Sequence, residues 1–335
     1  MDSLTQIVLG AAVGEAVLGK KVGNKALFYG AIAGTIPDLD VIANFFTDTI
    51  TAIELHRGFS HSLFFSVLMA PFFGWLVNTI ERKKGIGWQA WSKLFFWGFL
   101  THPLLDAFTT WGTQLFWPFD VRLAFNSIFV IDPLYTVPFL ICTVLVLFFK
   151  RDSKVRWSIN TIGLTISTLY LGLTLVLKTW VNQKFERSLK DQGISYEKIS
   201  TRPAPMNTIL WNANIETADG YLLADYSFFD TVPITFRKYP KNREASRDVM
   251  SFQNVQRLAN IAQGWFILER IQGVWYFYDL RFGRIPRKDG TSFFSFSYRL
   301  TEENGKIIAH EVPKTGRDAQ YLLKVLWKRI KGKQK

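Results

Sequence analysis

Cysteine is almost absent from this chain: Cys142 stands alone among 335 residues. That excludes an internal disulfide framework and any cysteine-based zinc cluster. Charge is also sparse, at 20% of residues, and there is no Gly-X-Y or heptad period, internal repeat or low-complexity tract. Fibrous architectures are therefore excluded. What replaces charge is apolar and aromatic mass, 48% and 16% of the chain, with 30 Phe and 12 Trp. A disordered polymer needs the opposite balance. The net charge is +13, and most of it falls after residue 180. Residues 1–180 carry 14 basic and 11 acidic side chains, whereas 181–335 carry 26 and 16.

Long uncharged runs occupy the first half. Ser62–Ile80 and Trp157–Leu177 are 19 and 21 residues without a charge, and Pro133–Phe149 adds 17. A bilayer core of roughly 30 Å asks about 20 apolar residues of a crossing helix. Leu4–Gly19, Ala26–Phe46 and Leu94–Thr110 are comparable in length but carry Glu15, then Asp38 and Asp40, then His102 and Asp106. The pattern predicts about six membrane helices within residues 1–180. The first lacks the basic region and small-residue cleavage site of a removable signal. Gly10 with Gly14, and Gly30 with Gly34, have the small-xxx-small spacing that lets two membrane helices approach closely.

Lys and Arg concentrate in alternate loops: Lys20, Lys21 and Lys25; then Arg82, Lys83, Lys84 and Lys93; then Lys150, Arg151, Lys154 and Arg156. The positive-inside rule makes these loops cytoplasmic. Six crossings then predict an extracytoplasmic C-terminal domain on a multi-pass inner membrane protein.

After a connection over 181–205, residues 206–335 change texture. Tyr221–Phe229, Trp265–Ile271, Val274–Phe282 and Ser292–Leu300 are rich in aromatic and β-branched residues. Gln272-Gly273 separates two of these runs, and Asn304-Gly305 is a hairpin signal before Lys306–Val312. Arg317–Ile330 has apolar residues at helical spacing. The expected class is α+β: a polytopic helical membrane bundle followed by a small antiparallel β domain with a C-terminal helix.

Three of the four histidines lie in the membrane half, each near acids or hydroxyls. The groups are Pro37-Asp38-Leu39-Asp40, His56-Arg57-Gly58-Phe59-Ser60-His61-Ser62, and Thr101-His102-Pro103-Leu104-Leu105-Asp106. His102 and Asp106 share a helix face. Asp38 and Asp40 would point about 200° apart on a regular helix, so both serve one site only if Pro37 breaks it. Imidazole and carboxylate suit a divalent ion, zinc first, with manganese and iron as alternatives. Ionisable residues inside a membrane are costly and functional by default. Asp132 before Pro133 reads as a helix cap, Asp2 as a cap of the first helix, Glu15 as an ion pair with Lys20 or Lys21, and His310 as a surface residue.

The strings Asp38-Leu39-Asp40, His56-Arg57-Gly58-Phe59-Ser60-His61-Ser62 and His102 with Asp106, followed by Trp117-Pro118, resemble the bacterial membrane-bound metal-dependent hydrolases of the YdjM-like family. The opening Met1-Asp2-Ser3-Leu4-Thr5 is also similar to that family's start. The resemblance covers roughly residues 1–150. It implies metal binding by Asp38, Asp40, His56, His61, His102 and Asp106. Many members have histidine where this chain has Gln6, a poorer ligand. The His-x-x-x-Asp pattern bears a distant likeness to zinc phospholipase C and P1-type nucleases, which suggests phosphoesters.

The expected function is a membrane-embedded metal-dependent hydrolase. A metal-activated water at the outer face would attack a phosphoester or lipid-like substrate. Catalytic roles fall to Arg57 as a phosphate-binding cation or headgroup anchor, to Asp40, and to Ser60, with Ser62 and Thr101 as further partners of the imidazoles. Expected partners are membrane lipids and an amphipathic substrate, not nucleic acid, for which no motif is present. A transporter and a non-catalytic scaffold with a structural metal remain the alternatives.

Overall fold

The computed structural model describes residues 1–82, 85–303, 305–315 and 318–334. Lys83 and Lys84 of the base-rich loop, Asn304 of the expected hairpin and Arg317 at the expected helix start lie outside the described residues. The chain divides into two compact units. The first comprises Met1–Phe45, Leu55–Val176 and Pro205–Asn207; the second comprises Phe46–Glu54, Leu177–Ala204 and Thr208–Lys335.

In the first unit, α1 (Ser3–Val22) starts at Asp2, whose carboxylate accepts the Thr5 N–H at 3.2 Å, as a cap should. It packs on α2 (Asn24–Thr35) along the glycine seam. A Cβ added to Gly30 would lie 2.3 Å from the Gly10 carbonyl oxygen, and one on Gly34 would lie 2.3 Å from that of Gln6. Only hydrogen fits there. At Pro37 the α-helix gives way to a 3₁₀ segment, Ile36–Phe45, because proline supplies no N–H and its ring clashes with the preceding turn. Ten residues of 3₁₀ are unusually long. A 3₁₀ turn at Phe59–His61 then leads into α4 (Leu63–Ile80), which Ser62 caps by accepting the Phe65 N–H at 3.0 Å. The remaining helices of this half are α5 (Trp88–Asp106), α6 (Pro133–Val146) and α7 (Lys154–Asp191). Asp132 caps α6 with Pro133 at its first position.

All six expected membrane segments are helical, but three are long and apolar enough to cross a bilayer: Asn24–Phe45, Leu63–Ile80 and Lys154–Asp191. With 14 residues, α6 reaches only about 21 Å. Gln6, Glu15 and two lysines dilute α1, and Lys93, His102 and Asp106 dilute α5. Glu15 does not pair with Lys20 or Lys21. Its carboxylate is held bidentately by the buried Arg156 of α7, at 2.7 and 2.6 Å. The planar guanidinium fork matches a carboxylate better than an ammonium does.

The second unit contains two four-stranded antiparallel meanders. The first is β1 (Lys198–Pro203), β2 (Leu210–Glu216), β3 (Gly220–Ser227) and β4 (Arg237–Pro240). The second is β5 (Phe266–Ile271), β6 (Val274–Pro286), β7 (Ser292–Glu303) and β8 (Lys306–Glu311). Gln272 and Gly273, both at positive φ, close the β5–β6 hairpin. Residues 181–205, expected as connecting chain, are instead the end of α7 and β1. Val181, Phe185 and Leu189 recur every fourth residue and pack on Trp211, Ala213 and Ile215, so a stretch that reads as polar in composition continues an apolar helix face. The short helices α8 (Arg247–Met250) and α9 (Gln253–Ile261) were not anticipated; the C-terminal helix α10 (Ala319–Ile330) was.

The segment Phe46–Glu54, which leaves the chain between the second and third expected membrane helices, belongs to this unit. Ile50 of α3 (Thr49–Leu55) is buried with Val255, Leu258 and Phe277. Arg257 grips Glu54 with two bonds, at 2.9 and 2.6 Å.

Two stability outcomes are expected from thermal unfolding in detergent. Gly30→Val forces α1 from α2 and costs about 1–3 kcal/mol, whereas Gly172→Val, which meets no described residue within 4 Å, leaves the midpoint unchanged. Glu15→Ala strands the Arg156 charge and costs about 3–5 kcal/mol.

Candidate metal centre

Four side chains of the first unit converge: Asp38 from the 3₁₀ segment, His61 from the turn before α4, and His102 and Asp106 from the end of α5. Their ligand atoms all lie within 4.8 Å of one another. His61 Nε2 is 3.1 Å from His102 Nε2, 3.4 Å from Asp38 Oδ1 and 3.5 Å from Asp106 Oδ2. His102 Nε2 is 3.4 Å from Asp38 Oδ1 and 3.7 Å from Asp106 Oδ2. A tetrahedral zinc with bonds of about 2.0–2.1 Å requires ligand-to-ligand edges of about 3.3–3.4 Å. Five of the six edges fall close to that length.

The imidazoles are oriented from behind. His102 Nδ1 lies 2.7 Å from the Gly34 carbonyl oxygen, a partner that can only accept. The proton of His102 is therefore on Nδ1, and Nε2 presents a lone pair. His61 Nδ1 is 3.0 Å from Ser60 Oγ and 3.4 Å from Asp40 Oδ2. The carboxylate favours a proton on that nitrogen, so His61 Nε2 also points a lone pair at the centre. Two lone pairs 3.1 Å apart repel unless a cation stands between them. Burial pushes His61 down to about 3, against the opposing pull of Asp38. The neutral, ligating form is thus the one present at neutral pH.

The carboxylates fit the same requirement. Asp106 Oδ1 accepts from the Met1 amine and from Gln6 Nε2. Among the described residues, Asp106 Oδ2 is buried without a hydrogen-bond donor. Arg57 Nε approaches this oxygen to 3.1 Å without hydrogen-bond alignment, a charge contact that leaves the oxygen directed at the imidazoles. His61, His102 and Asp106 side chains are fully buried, while that of Asp38 is 22% exposed and forms the site's opening. Orphaned acceptors and facing lone pairs, in a pocket of nitrogen and oxygen donors, make the residues present a fit for a divalent ion.

Of the six expected ligands, Asp40 and His56 stand one layer out. Asp40 Oδ1 contacts His56 Nδ1 at 3.0 Å, and Oδ2 accepts the Arg57 backbone N–H at 2.7 Å. Asp40 thus faces the far nitrogen of His61, not the centre. The 3₁₀ backbone after Pro37 is what brings both acids to one site. Arg57 is buried, with a positive φ of 58°. It donates to Thr109 Oγ1 at 2.8 Å, which places it inside the protein and not at a lipid headgroup. Burial lowers its pKa to about 10, with Asp38 and Asp40 acting in the other direction, so the cation persists. Ser60 meets His61 as expected, but Ser62 and Thr101 do not meet an imidazole. Ser62 donates to the Phe59 carbonyl, and Thr101 back-bonds to Trp97 and Gly98 of its own helix. Asp132 caps α6, and His310 is exposed on β8. The Gly34 carbonyl and Thr109 were missed. A backbone acceptor has no side-chain signature, although the glycine spacing had marked Gly34 for close packing.

A family model described as YdjM inner membrane protein matches residues 1–181. The inner membrane protein YbcI of Escherichia coli (strain K12) is 30% identical over 119 residues, which is 34% of this chain and 64% of that relative. The chain thus spans under two thirds of the length of this curated relative. No solved structure matches the chain.

His61→Ala and Asp106→Ala are expected to abolish retention of a divalent ion through dialysis, read as metal content per chain. Asp40→Asn retains the ion but weakens its affinity about 10–100-fold, the usual effect of removing a partner behind a ligand; competition with a chelator measures this.

Proposed function

The chain belongs to the YdjM inner membrane protein family, and from that premise and the buried quartet we propose a membrane-embedded, metal-dependent hydrolase acting on a phosphoester or lipid-like substrate. The observation that carries the proposal is the 3.1 Å approach of two imidazole nitrogens whose other nitrogens are engaged. Zinc fits the donor set best. When bound, the ion would supply Lewis acidity and lower the pKa of a water toward about 7.

The chain's own residues do the rest. Asp38, His61, His102 and Asp106 would hold the ion. Asp40 and Ser60 fix the His61 ring, and the Gly34 carbonyl fixes that of His102. Arg57 lies 3.1 Å from Asp106 and is a cation that could meet a substrate oxygen. The partly open face of Asp38 is the route by which water and substrate enter. The loop after α5 borders this site: Gln114 N–H donates to the Arg57 carbonyl at 3.0 Å, and Arg122 donates to that of His56 at 3.1 Å. Phe116 and Phe119 on this loop are 51% and 71% exposed. Exposed phenylalanines beside a polar site suit a substrate with an apolar tail and a charged head.

Six crossings, made by α1, α2 with its 3₁₀ extension, α4, α5, α6 and α7, keep the base-rich loops inside. Segment Phe46–Glu54 and the β strands form one unit, so an even number of crossings separates them. Four, by α4 to α7, satisfies this. The segment starts six residues after Asp40 and ends two before His56, so on this reading the site would lie toward the outer face.

One observation favours a second reading, a structural ion in a non-catalytic scaffold: four protein donors at tetrahedral spacing are the arrangement of closed sites. Purified protein assayed on phospholipids and generic phosphoesters separates the two. Turnover that disappears in His61→Ala and Asp106→Ala supports the hydrolase. Bound metal with no turnover on any ester supports the scaffold. A periplasm-active reporter fused after Lys335 is expected to be active, and activity of a cytoplasm-only reporter there would reverse the orientation.

A further inference from the structure

The second unit buries a cation that has no hydrogen-bond partner among the described residues. Arg202 of β1 is 4% exposed, and its Nε, Nη1 and Nη2 all lack a hydrogen-bond partner among the described residues. Arginine is almost never fully buried unless paired, because its charge and five donors lose their water. Burial lowers the pKa of Arg202 only to about 9, so it is charged at neutral pH.

The charges that act on it do not neutralise it. They are Asp279 and Arg281 of β6, and that acid is already filled. Asp279 Oδ1 accepts the Arg281 backbone N–H at 2.9 Å and Nε at 3.1 Å, while Oδ2 accepts Nη2 at 2.7 Å. Lys178 adds a third cation, donating to the carbonyl of Thr201, the residue before Arg202, at 3.3 Å. Arg202, Arg281 and Lys178 thus lie by the committed Asp279, all within the second unit. The buried, unused planar N–H donors of Arg202 are complementary to one kind of group: two or more oxygens sharing a negative charge.

We infer that Arg202 holds an oxyanion, the phosphate or carboxylate group of a ligand, in a site belonging to the second unit itself. Its burial means that the ligand is small or presents only its anionic group. The source is either a free anion or a lipid headgroup, and the chemistry of recognition is the same for both.

The test uses the full chain in detergent micelles at constant ionic strength, with chloride exchanged for inorganic phosphate or acetate. Saturable phosphate or acetate binding by equilibrium dialysis is expected, with a matching rise in the thermal midpoint. Arg202→Met is expected to remove both responses while melting no lower than the wild type in chloride. Should Arg202→Met fail to fold, Arg202→Lys, which keeps the charge but not the fork, is expected to weaken binding at least tenfold. A parallel arm dopes the micelles with phosphatidic acid. Saturation there alone identifies a headgroup as the source; saturation by phosphate or acetate identifies a free anion. The inference is overturned if the wild type responds saturably to none of the three probes, which leaves water as the partner of Arg202. It is equally overturned if the Arg202 variants respond as the wild type does.

Discussion

Two imidazole nitrogens held 3.1 Å apart, each with its other nitrogen engaged from behind, are the constraint on which the first unit turns. Neither ring can rotate away without losing its partner, Gly34 for one and Ser60 with Asp40 for the other. Neither lone pair is satisfied by the other. The arrangement asks for a positive charge at the centre, and Asp38 and Asp106 add the negative charge that a divalent ion requires. The rest of the unit can be understood as what holds four donors from three segments at that spacing.

That support begins in the glycine seam. Because only hydrogen fits between α1 and α2, α2 lies close enough to α1 for the Gln6 side chain and the Gly34 carbonyl to reach the end of α5. The same closeness leaves Gln6 where it donates to Asp106 and to the His102 carbonyl. An amide there acts as a hydrogen-bond donor to one of the four converging side chains. Pro37 contributes by ending the α-helix: the tighter 3₁₀ winding turns Asp38 toward the centre and Asp40 toward the back of His61. A proline and two acids therefore act together, which explains why two carboxylates two residues apart have different roles.

Much of this was legible in the residues themselves. Apolar runs marked the helices, the short aromatic and β-branched runs marked β3 and β5 to β8, and the clustering of His and Asp marked the site. The reading failed where composition and geometry part company. The end of α7 is rich in Lys, Glu and Ser, yet one of its faces repeats Val181, Phe185 and Leu189. The first sheet begins in a segment whose Lys and Pro suggested a connection. Arg57 reads as a phosphate-binding cation or a headgroup anchor; its backbone turns at positive φ and carries the guanidinium inward to Thr109 and Asp106. Glu15 found Arg156, 141 residues away, and not the lysines beside it.

The sequence alone determined the membrane character, the division between a helical half and a strand-rich half, and the pool of histidines and aspartates from which the four converging side chains come. Those follow from hydropathy, local propensity and the side-chain chemistry of metal ligands, all of which are properties of short stretches of chain. Only the tertiary structure decided which acids face the centre and which stand behind, that the excursion Phe46–Glu54 folds with the strands, and that Arg202 is buried without a hydrogen-bond partner among the described residues. Each of these depends on distances between segments far apart in the chain, set by close packing of backbone and by the direction in which a single backbone turn aims a side chain.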